Sequence, residues 1–434
     1  MTKLSIFGPA LLLLLAPALT KAQDSLSLQQ AVQIALEQNF AVKIAQSDVE
    51  IAHLNNTRAN AGLVPLVALN AGNNTNAVNF QQKLANGNEI KRPLALTNTF
   101  NTNISASWTL YDGRRMYMEK NRLQLLDDMG QLQLRATMQD IASQTALAWL
   151  EVSRQKSILS NTDEIIKVFR ERLQLSTNRL NVGVGNKVDL LQAQSDVNRR
   201  EKERITAQNN LRDAQRNLNT LMVRTPETPV NATSLPSTLP ELPDSTAFLQ
   251  KIWSSNTDLA MLQYRLLVAQ NSVAQAKALT KPRVGLNGGY AFQRSDNTAG
   301  FFLFSMQHGP TLGVNFTMPL YTGGNLERQR AVAQVESEKI DLQIKQLRTQ
   351  LQQQFSSLAG RSATLRQSLV LDNQNLALAR EQQNIALERF RAGQSTILEL
   401  REAQLALEAA LFSVQQTQYD IFVTDALLQA IVGE

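Results

Sequence analysis

The chain has 434 residues, no cysteine, two histidines and a formal net charge of +6. Without cysteine there is no disulfide framework, no thiolate metal site and no lipid-bearing cysteine. Lys and Arg alternate with Asp and Glu in stretches such as NRREKERITAQNNLRDAQR (198–216), the pattern of a solvated helix face, so nucleic acid is not an expected partner.

The chain opens on a positive start (Met1-Thr2-Lys3), an apolar stretch LLLLLAPAL (11–19) and a small-residue site TKA (20–22). This is the pattern of a secretory signal peptide over 1–22, with the mature chain beginning at Gln23. The apolar stretch is too short and too near the N-terminus for a spanning helix. A helical stretch over 28–62 then leads to a weakly alternating extended segment, PLVALNAG (65–72). In a second one, FNTNISASWTLY (100–111), Phe100, Ile104, Ala106, Trp108 and Leu110 share a face and Asn, Ser and Thr fill most of the other. No proline occurs between Pro93 and Pro226, and 131–182 and 186–224 also lack glycine. Two long helices, 112–182 and 186–224, are therefore expected around Gly183 and Gly185. Small and apolar residues recur in a 4-3 rhythm through Leu134, Met138, Ile141, Thr145, Ala148 and Val152, the seam of closely approaching coiled-coil helices.

Residues 225–244 hold five of the twelve prolines and read as an extended connector without a helix. After it the chain repeats itself. A helix over 246–281, extended segments VGLNGGYAFQ (284–293) and GPTLGVNFTMPLY (309–321), and helices over 325–391 (interrupted at Gly360) and 396–432 are expected. RLNVGVGNKVDLLQAQ (179–194) is answered by RFRAGQSTILELREAQ (389–404), which sets Arg179 on Arg389, Gly183 on Gly393 and Asp189 on Glu399 at an offset of 210. Tyr111/Tyr321 and Gly113/Gly323 keep that offset, whereas Asn39/Asn256 stand 217 apart. The first copy therefore carries seven extra residues near 79–98, expected as a surface loop. The pattern is a duplication, 23–224 and 245–434, rather than a short-period solenoid.

Each extended run is near the ten residues that a tilted strand needs to cross an outer membrane. A soluble sandwich would alternate too, but the export signal and the Asn/Ser/Gly-rich face favour a water-filled barrel. Four strands cannot close a barrel, and open edges are not tolerated in lipid, so self-association is expected. Two chains would supply eight strands and three would supply twelve. Helix 112–182 would be about 105 Å long, with its neighbours near half that. Two short helices would stack beside each long one, with the connector near mid-height and both glycine turns roughly 100 Å from the membrane.

These residues resemble the TolC family of outer-membrane efflux and secretion channels across essentially the whole mature chain. The most specific mark is the duplicated hairpin tip, Leu180-Asn181-Val182-Gly183 with Asp189 and Ala193, and Phe390-Arg391-Ala392-Gly393 with Glu399 and Ala403. The resemblance implies an α+β membrane protein, a homotrimer whose twelve-stranded outer-membrane β-barrel (four strands per chain) continues into a long periplasmic α-helical barrel of coiled-coil hairpins. It further implies a passive exit duct in the outer membrane of a Gram-negative bacterium, serving a tripartite efflux pump or a type I secretion system. Small molecules or proteins would reach it from an inner-membrane transporter through a periplasmic adaptor. The tips, Val182, Gly183, Val184 and Gly185 with Ala392, Gly393 and Gln394, would dock the adaptor. Glu399 and Glu402, three apart on one helix face, would ring the pore entrance, with Asp189 at the matching position of the first copy and Phe390 at the gate. A solvated helix face is the plain alternative for the two glutamates. Similar channels latch the entrance with a tip tyrosine and a basic residue two past the glycine. Phe390 and Ser395 stand there instead, so neither latch is available in its usual form.

No catalytic residue, metal site or cofactor is expected. His53 and His308 are isolated, and Gly183-Val184-Gly185 has neither the preceding strand nor the Lys-Ser/Thr of a phosphate loop. Its plain role is a helix reversal with positive φ. Two other readings stay open. A periplasmic adaptor would lack the alternating strand pairs, and a coiled-coil envelope protein would conduct no ions.

Overall fold

Every element of the first copy has a counterpart in the second. The computed structural model describes residues 26–233, 239, 244–300 and 302–433, so the signal segment 1–22 lies outside the described residues. The first copy runs α1 (Leu28–Gln38), α2 (Phe40–Asn55), β1 (Leu66–Lys83), β2 (Glu89–Tyr111), α3 (Arg115–Asn181) and α4 (Lys187–Leu221). The second runs α5 (Ser245–Ser255), α6 (Thr257–Ala278), β3 (Arg283–Asn297), β4 (Phe304–Thr317), α7 (Asn325–Arg391) and α8 (Ile397–Val432). The long helices α3 and α7 have 67 residues each, about 100 Å at 1.5 Å per residue.

Four expectations are corrected. The helices expected over 28–62 and 246–281 are each two helices, broken at the matched asparagines. Asn39 leaves helical geometry and its side chain accepts from Ala41 N, opening α2. Asn256 does the same for α6, accepting from Leu259 N at 2.9 Å while donating to Ile431 O at 2.9 Å. A side chain that caps an orphan N–H competes with helix continuation. The expected interruption at Gly360 is absent, and α7 runs straight through it. One interior glycine costs only about 1 kcal/mol, less than the burial of flanking Leu351, Phe355 and Leu369 contributes. Finally, the extra residues of the first copy are not a loop but a longer hairpin. β1 and β2 extend to 18 and 23 residues, joined through Leu84–Asn88 with Gly87 at φ 88°.

The strands form one antiparallel sheet in the order β1-β2-β3-β4. Its register sorts the faces. Leu69, Ile104 and Tyr290 lie in one row, with Trp108, Leu286 and Val314 in another. On this face Leu312 is 81% exposed and Val314 66%, far from the behaviour of a soluble core. The apolar rows from Leu110 to Phe100 span about 25 Å at a barrel tilt. The opposite face is mostly Asn, Gln, Ser, Thr and Gly.

The chain divides into two compact units. Of the described residues, those up to Ala35 join 144–239 and 369–419 in one, and 36–143, 240–368 and those from Asp420 make up the other. The first has a core of Ile165, Phe169, Ala379, Leu407 and Leu411. The second packs Ile252, Leu351, Phe355, Leu428, Ile431 and Val432, with Phe248 stacked on Phe355 at 5.2 Å. The expected seam is buried along most of its length, with Ile141, Thr145, Ala148 and Val152 all in the core. Among the described residues no helix is long and apolar enough to cross a membrane.

Candidate functional site

Both glycine tips close by the same backbone device. Gly183 N donates to Leu180 O at 3.0 Å and Val184 N to Arg179 O at 3.0 Å. In the second copy Gly393 N donates to Phe390 O at 3.1 Å and Gln394 N to Arg389 O at 2.8 Å. These paired bonds end a helix through one left-handed residue, and the two glycines have φ of 79° and 73°. Gly185 serves differently: a Cβ there would stand 2.6 Å from Leu180 N. The returning helices start on Asn186, whose side chain accepts from Val188 N, and on Thr396, whose hydroxyl accepts from Glu399 N. Val182 and Val184 are left 71% and 68% exposed at the first tip, and Ala392, Gly393 and Gln394 are exposed at the second.

The expected entrance residues separate into two groups. Glu399 and Glu402 lie one turn apart on α8, both on its accessible side. Glu399 pairs with Arg389 at 3.0 Å across the hairpin, a half-exposed contact of about 0–1 kcal/mol. Glu402 has no such partner among the described residues and is exposed. Asp189 is half-buried in the first turn of α4, where its charge suits the helix dipole. Phe390 is not with them. It is 4% exposed and packs with Ala386, Leu387, Leu400 and Ala403. The Arg179 guanidinium covers its ring at 4.8 Å and donates to its carbonyl at 3.1 Å. Phe390 is thus a core residue joining the two tips of one chain, and the Arg179/Arg389 repeat position does a different job in each copy. Arg391 adds ion pairs to Glu171 and Glu388.

The sequence did not reveal the polar cluster behind the tips. Arg172, 1% exposed, pairs with Asp196 and donates to Gln404 Oε1 at 3.1 Å. Arg199 and Arg401 converge on the same carboxylate at 2.7 and 3.2 Å. Burial pushes the Arg172 guanidinium below its usual value, opposed by Asp196. Beside it, the guanidiniums of Arg172 and Arg200 each lie over the Phe169 ring, at 4.8 and 5.1 Å, and Arg200 reaches Glu408 at 2.6 Å. Burial raises the Glu408 carboxyl, with Arg200 opposing. The available signal was spacing: Asp196 follows buried Ala193 by three and Arg172 follows Phe169 by three, so both charges interrupt an apolar seam.

With tips, sheet and duplication described, the comparison with known families is decisive. The outer membrane efflux protein family matches residues 31–223 and again 248–434. The chain belongs to that family. The double match coincides with the two copies. Among curated efflux-family relatives, the outer membrane efflux protein BepC of Brucella suis is 24% identical over 302 residues, 68% of this chain. The chain spans 64% of the length of BepC. The outer membrane protein TolC of Vibrio cholerae is 22% identical over 309 residues, 69% of each chain. The fold of this efflux-family chain is that of solved outer-membrane channels. The CmeC channel of Campylobacter jejuni superposes with a TM-score of 0.78 at 15% identity, covering 94% of this chain and 85% of that one.

Proposed function

We propose that the protein is the exit duct of a tripartite efflux pump or type I secretion system in a Gram-negative outer membrane. As a homotrimer it would receive small molecules or proteins from an inner-membrane transporter through a periplasmic adaptor. The observation that carries this reading is the sheet: four strands, one apolar face, one polar face, and an edge of β1 and of β4 that no described strand covers. Unpaired edge groups in lipid cost several kcal/mol each, so neighbouring copies must close the barrel, and three copies give the family's twelve strands. A periplasmic adaptor would have no use for such a lipid-suited face. The exposed glycine tips suit adaptor docking. Glu399 and Glu402, repeated around a threefold axis, would ring the entrance and favour cations. Phe390 serves that entrance indirectly, by fixing the tip.

Planar-bilayer recordings of purified protein test this. Wild-type protein should give stable unit conductances with cation preference, which Glu399→Gln with Glu402→Gln should weaken and Glu327→Gln should leave alone. Absence of conductance would sink the duct; conducting double variants with unchanged preference would remove the glutamates from the entrance.

A further inference from the structure

We propose that Arg283 forms a threefold ring of positive charge at the helix-side mouth of the barrel and gives that segment a preference for anionic solutes. The inference rests on the trimeric-channel reading above. It starts from the composition of the polar sheet face. Alternate residues from Thr97 to Thr109, from Gly285 to Asn297 and from Ser305 to Thr317 are all Asn, Gln, Ser, Thr, Gly or Ala. Those positions face one another row by row: Ser105 pairs with Gly289 and Gly289 with Thr311. β1 adds Asn70, Gly72, Asn74 and Asn76 in the same rows. Across these rows, among the described residues, the face carries one ionisable side chain.

That side chain is Arg283, the first residue of β3, five positions after α6 ends. It pairs in register with Thr317, and its Nη2 donates to Thr109 Oγ1 at 3.2 Å. Both threonines belong to the polar face, so the guanidinium does too. It is exposed, and the group it bonds is a neutral hydroxyl. The same corner encloses a cavity of about 440 Å³, lined also by Asp112, Arg115, Glu119 and Gln275. The two carboxylates there are already engaged. Asp112 accepts from Met116 N at 3.0 and 3.2 Å and meets the positive end of α3. Glu119 is held by both arms of Arg122 at 2.6 and 2.9 Å and by Gln275 at 3.1 Å. Arg115 has the same sign as Arg283. Three arginines (Arg115, Arg122 and Arg283) against two carboxylates leave the net charge at this mouth positive, and among the described residues no other ionisable side chain stands in these rows. The polarity is opposite to that of Glu399 and Glu402.

In a wide, wet bore such a ring acts over the screening length, about 8 Å at physiological salt, ~30 Å at ~10 mM and ~3 Å at 1 M. Reversal potentials should therefore be read across a salt gradient whose dilute side is ~10 mM. Arg283→Gln should move the potential toward cation preference, Arg283→Glu further in the same direction, and Arg283→Lys should keep the wild-type value. The differences should collapse when both sides are concentrated. Conducting channels with one reversal potential for wild type, Arg283→Gln and Arg283→Glu at low salt would overturn the ring. Wild-type preparations with no unit conductance would instead overturn the channel reading, and the ring with it.

Discussion

Asp127 is 3% exposed on α3 and shows what one buried carboxylate does here. Asn56 Nδ2 donates to its Oδ2 at 2.9 Å and His53 Nδ1 approaches at 3.3 Å, while Oδ1 has no hydrogen-bond partner. The Asn56 hydrogen bond, opposed by burial and helped by His53, holds this carboxyl below its ordinary value. A carboxyl whose folded pKa is depressed adds stability that is present above its unfolded pKa, ~4. That stability is lost as pH falls through the folded value. Asp127→Asn should therefore lower thermal stability at neutral pH, by about 1–3 kcal/mol, and by progressively less below pH ~4. Circular-dichroism melts at pH 7 and pH 3 check this; an undiminished difference in acid would mean that the carboxylate charge is not what the pocket holds. At this scale the sequence was least legible. His53 read as isolated, and the Arg172–Asp196 pair was invisible, because in each pair the partner lies on another helix. Phe390 was legible as a marked position but not in its role, since an aromatic ring in a motif does not announce whether it faces a pore or a core.

Elements were legible wherever proline and glycine punctuate the chain. The glycine-free windows mark α4 nearly to its ends and the C-terminal end of α3, which begins before Gly130, and the repeat marks α7 and α8. What escaped were breaks made by side chains. Asn39 and Asn256 were visible as a matched pair, but only the hydrogen bonds to Ala41 N and Leu259 N show that each stops one helix and opens the next. The tips themselves rest on positive φ and on glycine N–H bonds to Leu180 O and Phe390 O. Proline fixes φ near −65° and removes the donor. Gly183→Pro and Gly393→Pro should abolish export by the assembled pump while leaving trimer yield and membrane insertion unchanged. Normal export from both variants would take the tips out of the docking surface.

For the whole molecule, strand count decides assembly. The sheet is antiparallel throughout with open outer edges on β1 and β4, so the first strand of one copy would meet the last strand of the next. Native mass spectrometry in detergent should find three chains per particle. A dimer would require an eight-stranded barrel, and a stable monomer would show that the edges need no partner. This much was readable beforehand, since alternation exposes which face seeks lipid. The length of the β1–β2 hairpin was not, because Asn-rich residues beyond the apolar rows look equally suited to a loop.

The interleaving of the two units has a consequence for biosynthesis. Ile431 and Val432 lie in one core with Ile252 and Leu351, and residues before Ala35 share a unit with 369–419. Neither unit can close until nearly all of the chain has been made. Contacts of such long sequence separation form slowly, so the polypeptide must remain unfolded through synthesis and translocation, with its apolar strands uncovered. A chain in that state would call for holding chaperones rather than early partial folding.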